Sequence, residues 1–210
     1  MFGSLFSRKP SPEELAQMSA KYRGLIPFNP QKAPEITEVV TVKMETDAGD
    51  ITIEVYPQAA PNAAKRFIEL VKCGFYDGTP IFRVVTRPRP FVAQFGINWR
   101  PDQRKWQHDN FNDDPSLFEL GAGTLAFAKA GPNTNSTQIF INYADNSFLR
   151  DNGGFSTFAR VTEGYEIAAK FRSVGSPDMG LDQGRLWSDG QAYLNGLSLK
   201  PNMIIKATVV

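Results

Sequence analysis

Cysteine and histidine, the side chains most often used as nucleophiles, general bases and zinc ligands, are almost absent from this sequence. The chain has one of each, Cys73 and His108. A single cysteine excludes a disulfide within the chain, and one cysteine with one histidine is too few for a Cys/His zinc site. His108 lies in a polar stretch and is expected to be a solvated loop residue. We expect Cys73, beside the helix-ending Gly74, to be a small buried packing residue.

The motifs of several common enzyme classes are also missing. The sequence contains no glycine-rich phosphate loop, no His-Glu-x-x-His zinc motif and no Gly-x-Ser-x-Gly nucleophile elbow. Residues 135–137 match the N-glycosylation pattern, which we interpret as a chance match. The sequence therefore predicts neither a metal nor a cofactor.

A basic segment with neighbouring tryptophans is the one sign of nucleic-acid chemistry. Residues 87–105 carry five basic side chains against one aspartate, and Trp99 and Trp106 accompany them. Such a combination can form a platform for single-stranded nucleic acid. Residues 109–119 carry four acidic side chains, and the whole chain has a net charge of only +1. We therefore predict a salt-bridged loop surface and no nucleic-acid partner.

Length and composition are those of an ordinary globular protein. The chain has 210 residues, of which 41% are hydrophobic and 21% charged, enough for a buried core in a single main domain. No apolar run approaches the roughly 20 residues of a membrane span, so we expect no membrane partner. The N-terminal residues lack the charge order of a signal peptide. We expect a cytoplasmic location, with a periplasmic one open if the chain is a processed form.

Residues 1–38 differ from the rest and are interpreted as an N-terminal arm with a short helix. Ser11 is a good N-cap, Pro12 suits the first helical position, Glu14 completes a capping box, and Gly24 is a stop. The apolar stripe of this helix consists of Leu15, Met18 and Tyr22. We expect the arm to dock on its own domain, and the second hypothesis is that it binds a partner protein.

From residue 39 to residue 210 the pattern predicts a mainly β domain. Alternating apolar residues predict a hairpin over 39–55, and Pro61 opens a helix that ends near Gly74. Further strands are expected near 81–85, 91–96, 124–129, 138–142, 155–161 and 203–210, with a second helix near 163–172. About eight short strands and two helices favour a sandwich or a closed barrel. Residues 173–202 are expected to be a long loop excursion before the last strand.

Four segments of this domain form a specific combination, and the unbroken run of six residues in the fourth is the most specific. In chain order they are residues 55–61 (VYPQAAP), residues 74–79 and 83–85 (GFYDGT and RVV), residues 91–96 (FVAQFG), and residues 130–135 and 138–141 (AGPNTN and QIFI).

In order and spacing these segments resemble the cyclophilins, a family of peptidyl-prolyl cis–trans isomerases. The resemblance covers roughly residues 39–172 and the last strand. It implies a closed eight-stranded antiparallel barrel capped by two helices, an enzyme without a cofactor, and partners that are proline-containing peptides and unfolded or flexible protein segments. The alternative is a catalytically weak proline-peptide binding module or scaffold on the same fold.

The family's site residues carry over to positions in this chain. The resemblance implies Arg83 and Gln94 as the catalytic pair, Arg83 stabilising the twisted amide by a non-covalent mechanism. The substrate-binding positions that it implies are Phe91, Val92, Ala128, Lys129, Ala130, Gln138, Phe140, Phe148, Leu149 and Phe155.

Some of these positions depart from the usual pattern of the family. Val92 replaces a methionine, Phe148 a tryptophan and Phe155 a histidine. The link between the strand that carries Arg83 and Phe91, at residues 86–90, is longer than usual and adds Arg87 and Arg89. These two arginines are expected to flank the groove and to favour substrates with acidic residues near the proline.

Overall fold

The computed structural model describes residues 11–210, except for the side chain of Leu15. Helix α1 (Pro12–Tyr22) starts with the predicted capping box: the Glu14 amide donates to the Ser11 hydroxyl, and the Ser11 amide donates to the Glu14 carboxylate. It ends at Arg23 in the left-handed conformation, followed by Gly24. The predicted absence of a signal peptide concerns residues 1–10, which lie outside the described residues.

Eight antiparallel strands form the closed barrel that the resemblance implies. They are β1 (Val40–Thr46), β2 (Gly49–Val55), β3 (Thr79–Val84), β4 (Val92–Phe95), β5 (Thr124–Phe127), β6 (Ile139–Asn142), β7 (Ala159–Glu163) and β8 (Met203–Val209). Around the barrel the order is β1-β2-β7-β5-β6-β4-β3-β8, and β8 returns to β1. Closure gives each of these eight strands a paired strand on both sides.

Five further helices surround the barrel. They are α2 (Pro61–Lys72), α3 (Phe148–Gly153), α4 (Tyr165–Ala168), α5 (Gln183–Ser188) and α6 (Gln191–Gly196). Two of them, α2 and α4, are the predicted helices. The prediction of a plain loop at 173–202 is wrong, because α5 and α6 lie within it and bury Leu186 and Leu194 in a cluster with Phe82 and Ile97. Helices of six residues are too short for their periodicity to stand out in a polar stretch.

Helix α2 lies over the main core and receives its N-terminal cap from a distant segment. Phe67 is fully buried on α2 and packs against Phe158 at a ring distance of 5.3 Å. No side chain at the N-cap position bonds to the helix. Instead, the buried Asp114 carboxylate accepts from the amides of Asn62 (3.0 Å) and Ala63 (2.8 Å). This contact ties the 109–119 segment to α2.

The N-terminal arm docks on the barrel, as its apolar stripe indicates. Tyr22 is buried and meets Phe118 edge to face, with ring centres 5.8 Å apart. The backbone adds two hydrogen bonds, from the Phe28 amide to the Leu117 carbonyl and from the Glu119 amide to the Ile26 carbonyl, each 2.9 Å. The domain boundary at residue 38 remains a prediction.

Two smaller sequence predictions need correction, the first completely and the second in part. Cys73 is exposed and not buried, because it follows the last residue of α2 on the solvent side. The predicted salt-bridged loop surface forms only on its acidic side: within residues 11–210, Asp109, Asp113 and Glu119 pair with Arg66, Lys129 and Arg150, whereas none of the five basic residues of 87–105 forms a salt bridge. His108 is exposed, as expected.

Candidate active site

A groove beside strands β3, β4 and β6 brings together nine of the twelve predicted site residues. It has a volume of about 270 Å³. The lining residues are Arg83, Phe91, Val92, Gln94, Ala128, Lys129, Phe140, Leu149 and Phe155. Of the other three, Ala130 is exposed on the following loop, Gln138 accepts a hydrogen bond from Gln94, and Phe148 stacks on Phe91.

The strand register explains why residues far apart in sequence meet here. Arg83 on β3 lies directly opposite Gln94 on β4, and Gln94 lies opposite Phe140 on β6. Phe140 in turn lies opposite Ala126 on β5. Because directly opposite residues of antiparallel strands present their side chains on the same face, the register sets a cation, an amide and a phenyl ring side by side.

Hydrogen bonds fix the orientation of the Arg83 guanidinium. Its Nη1 donates to Oε1 of Gln94 (2.9 Å) and its Nε donates to the carbonyl oxygen of Asp178 (2.7 Å). Nε2 of Gln94 donates in turn to Oε1 of Gln138 (2.7 Å). No acceptor within residues 11–210 bonds to Nη2 of Arg83, so donor capacity remains for a bound ligand.

Arg83 keeps its positive charge in this position. Burial lowers the pKa of its guanidinium, and the Asp178 carboxylate opposes that shift. The ordinary pKa of arginine lies so far above neutrality that the side chain stays protonated. The groove therefore contains a permanent cationic donor.

Aromatic and aliphatic side chains form the rest of the groove. Phe140 is only 4% exposed and meets Phe155 edge to face at 5.8 Å. Phe91 stacks on Phe148 with ring centres 6.2 Å apart, and the Arg83 guanidinium lies 5.8 Å from the Phe91 ring centre. Such a surface binds a compact apolar ring by burying its area from water.

The opposite wall of the groove is organised by an acidic residue that the sequence analysis did not single out. Lys129 donates to the Asp113 carboxylate (2.8 Å) and to the Gly154 carbonyl (3.1 Å), and its ammonium lies 5.2 Å from the Phe155 ring centre. Asp113 also accepts from the Asn133 amide and from Nδ2 of Asn135. The carboxylate thus holds the 129–135 loop in place beside the groove.

We predict a pH-dependent stabilisation by Asp113. Partial burial pushes the pKa of its carboxyl upwards, but the hydrogen bonds from Lys129, Asn133 and Asn135 outweigh burial and hold the pKa below its usual value. A lowered folded-state pKa stabilises the fold above the unfolded value of about 3.9, and that stabilisation disappears as the pH falls through the folded-state pKa. Asp113→Asn should lower the free energy of unfolding by about 1.5–3 kcal/mol at neutral pH.

Urea denaturation of both proteins at a series of pH values measures this effect. The difference between wild type and Asp113→Asn should shrink towards zero below the folded-state pKa of Asp113. A difference that stays constant from neutral to strongly acidic pH would contradict the assignment.

A second cavity adjoins the groove on the far side of Phe91. It has a volume of about 470 Å³ and is lined on one side by residues 87–91, in which the Arg87–Pro88 peptide bond is cis. Asp145, Phe148 and Asp178 are among the residues on the other sides. Since Phe91 lines both spaces, the longer link at residues 86–90 extends the surface that a ligand in the groove can reach.

Within residues 11–210, no three His, Cys, Asp or Glu side chains are grouped so that they could hold a metal ion. Among the helices of that same part, none combines the length and the apolar character needed to cross a bilayer.

Curated relatives match most of the barrel. A peptidyl-prolyl cis-trans isomerase of Acinetobacter baylyi is 33% identical over 146 residues, which cover 68% of this chain and 77% of the relative. A peptidyl-prolyl cis-trans isomerase of Schizosaccharomyces pombe is 35% identical over 136 residues, which cover 63% of this chain and 84% of the relative.

Solved structures share the fold. A cyclophilin type peptidyl-prolyl cis-trans isomerase of Cryptosporidium parvum superposes with a TM-score of 0.60 at 21% identity, covering 82% of this chain and 98% of that one. A second structure of that protein, determined in the presence of the dipeptide Ala-Pro, gives a TM-score of 0.59 at 22% identity, covering 81% and 98% of the two chains.

The family assignment follows from the match of a family model together with these relatives. The model for the cyclophilin type peptidyl-prolyl cis-trans isomerase/CLD family matches residues 41–184, which include all twelve predicted site residues. The chain belongs to the cyclophilin-type peptidyl-prolyl cis-trans isomerases, a family of enzymes.

Proposed function

We propose that this chain accelerates rotation about X-Pro bonds in peptides and in unfolded or flexible protein segments, with Arg83 stabilising the twisted amide. The observation that carries the proposal is the Arg83 guanidinium, bonded to Gln94 and set against an apolar groove. An isomerisation assay on the intact protein, by exchange NMR or protease coupling with an X-Pro peptide, is the direct test.

The reaction needs a catalyst for rotation and no covalent chemistry. Amide resonance opposes rotation with a barrier of roughly 18–20 kcal/mol, although cis and trans X-Pro differ by only about 0.5–1 kcal/mol. A catalyst must bind the twisted amide better than either planar form. In the twisted amide the prolyl nitrogen becomes pyramidal and regains a lone pair, which accepts a hydrogen bond from the charged Arg83.

One charged hydrogen bond supplies part of the required acceleration. Such a bond contributes about 1.5–3 kcal/mol, and each ~1.4 kcal/mol corresponds to a tenfold change in rate. Arg83 alone therefore supplies about ten- to hundredfold. The remainder comes from positioning and from the exclusion of water by the groove.

The rest of the site holds the substrate on both sides of the rotating bond. Phe140, Val92 and Leu149 bury the proline ring. The amides of Ala128 and Ala130 already donate to the Gln138 carbonyl and to Oγ1 of Thr134. Pairing with the substrate backbone along 128–130 is therefore left to the Lys129 amide and to the carbonyls.

Arg87 and Arg89 give this site a preference for acidic residues near the proline. Both are exposed, both line the second cavity, and neither forms a salt bridge within residues 11–210. Asp145 and Asp178 also line that cavity. Two hydrogen bonds from Ser147 occupy Oδ1 of Asp145, whereas neither guanidinium donates a hydrogen bond to an acceptor in the described part of the chain.

Reversing both charges, Arg87→Glu with Arg89→Glu, should change the ranking of substrates. Relative to a neutral peptide, we expect kcat/KM for a peptide with an acidic residue beside the proline to fall by about threefold or more, and kcat/KM for a basic one to rise. The double change Lys32→Glu with Lys170→Glu is the matched control, because it alters the net charge equally at two exposed positions outside both cavities. An unaltered ranking would refute the preference.

A further inference from the structure

The first part of the 173–202 excursion lies along β3, the strand that carries Arg83. The Ser173 hydroxyl donates to the carbonyl of Val84 (2.8 Å), and the Leu181 amide donates to the carbonyl of Phe82 (2.9 Å). Phe82 and Val84, which accept these two hydrogen bonds, are the residues directly before and after Arg83 in the strand. The segment is therefore attached to β3 on both sides of the arginine.

Two glycines allow this close approach. Gly180 has a φ of +70°, and a Cβ at this position would lie 2.3 Å from the Phe82 carbonyl oxygen and 2.6 Å from the Arg83 Cα. Gly175 also has a φ of +70°, and its Cβ would lie 2.3 Å from the Gly180 carbonyl oxygen. Ser176 and Gly180 exchange two backbone hydrogen bonds, of 2.8 and 2.9 Å. The result is a tight turn pressed against the arginine strand.

This turn presents an acceptor to the guanidinium. Asp178 lies within it, and its carbonyl oxygen accepts from Nε of Arg83 at 2.7 Å. An arginine side chain has several rotatable bonds and loses much freedom when it is fixed. A rigid acceptor on Nε, together with Gln94 on Nη1, selects one orientation of the guanidinium before substrate arrives.

The excursion also reaches the other end of the Arg83–Gln94 pair. Gln138, which accepts from Gln94, donates through its Nε2 to Oε1 of Gln183 (3.1 Å). Gln183 is the first residue of α5, which is anchored by the fully buried Leu186. A row of three amide side chains thus runs from the arginine to the excursion.

We propose that residues 173–183 are a positioning element for the isomerase reaction, in which the Asp178 carbonyl and the Gln183 side chain hold Arg83 and Gln94 in their working orientation. The proposal rests on the proposed function of Arg83. It assigns a role to the first part of a stretch that was predicted only as a long loop excursion before the last strand.

The first test displaces the turn sterically with Gly180→Ala. We expect kcat to fall by about five- to tenfold while KM changes by less than about twofold, because the orientation of the donor changes and the apolar groove does not. In the free protein, hydrogen exchange at Nε of Arg83, followed by ¹⁵N NMR, should accelerate by about tenfold as its acceptor is lost. Gly196→Ala is the matched control, since a Cβ at Gly196 meets nothing within 4 Å. Wild-type kcat and wild-type Nε exchange in folded Gly180→Ala would overturn the proposal.

The second test uses Gln183, so that the proposal stays testable if Gly180→Ala fails to fold. Gln183→Leu removes the acceptor and should lower kcat by about threefold, whereas Gln183→Glu retains an acceptor oxygen and should restore activity. Equal kcat values for wild type and Gln183→Leu would remove Gln183 from the positioning element. If the wild-type protein shows no isomerase activity, the proposed function is refuted. The measurement of hydrogen exchange at Nε of Arg83 needs no turnover, so it still decides whether residues 173–183 fix the orientation of Arg83.

Discussion

Arg83→Ala should lower kcat/KM for an X-Pro peptide by about ten- to hundredfold, with the barrel still folded. The substitution removes the charged donor that the proposed mechanism directs at the prolyl nitrogen. Arg83 is only partly buried on β3, and neither of its side-chain acceptors, Gln94 and the Asp178 carbonyl, belongs to the main core. The loss should therefore appear in activity and much less in thermal stability.

Exchange NMR on wild type and variant side by side decides between catalysis and binding alone. Arg83→Lys should recover only part of the activity, because an ammonium keeps the charge but lacks the planar fork that bonds Gln94 and Asp178 together. Arg160→Ala on β7 is the control for loss of an arginine outside the groove. Unchanged activity in Arg83→Ala would remove Arg83 from its role. If the wild-type protein binds the peptide measurably but isomerises it no faster than the uncatalysed reaction, the protein is a binding module instead of an enzyme.

Phe118→Ala should lower the free energy of unfolding by about 3–5 kcal/mol. The Phe118 ring is fully buried between the arm and the barrel, in a cluster with Tyr22, Leu25, Ile36 and Tyr56. Its removal leaves a cavity and also loses the edge-to-face contact with Tyr22. Chemical denaturation monitored by fluorescence measures the change.

The control for this prediction is the same substitution at an exposed ring. Phe148 is 51% exposed, so Phe148→Ala should change stability by well under about 1 kcal/mol. Phe118 lies outside the groove, so the folded Phe118→Ala protein should keep its isomerase activity. A loss below about 1 kcal/mol for Phe118→Ala would show that the arm adds little to the stability of the barrel.

The strands were predictable because they follow a simple rule along the chain, whereas the choice of a closed barrel over a sandwich came from the family resemblance. The hairpin of β1 and β2 alternates apolar and polar residues around a turn at 47–48, and each later strand lies between turn residues. The capping box at Ser11 and Glu14 was equally local. By contrast, α5 and α6 owe their stability to the burial of Leu186 and Leu194 against residues far away in sequence. Such tertiary burial is not visible in local periodicity.

The groove was predictable through family resemblance and not through chemistry alone. Arg83 and Phe140 are ordinary residue types for a strand, and only their order with Gln94 and the other motifs pointed to a site. Asp113 was noticed as part of an acidic stretch, but its pairing with Lys129 depends on how two loops meet.

The hydrogen bond from Arg83 to the Asp178 carbonyl could not be predicted from the sequence. Its contribution is a backbone carbonyl, which every residue possesses. Only the two glycines at 175 and 180, both with positive φ, mark the position of the turn in the chain.

The pairing of β8 with both β1 and β3 has a consequence for how the protein acquires its site during synthesis. Met203 and Ile204 lie beside Pro80 and Thr79, and Val209 lies beside Val42. A nascent chain that has not yet emerged as far as residue 203 therefore exposes the free edges of two strands, one of which bears Arg83. Open edges are templates for aggregation, and contacts between residues so distant in sequence form slowly. Ribosome-bound chains shorter than this are therefore open to misassembly, and the strand that bears Arg83 gains its β8 partner only when the last strand has been made.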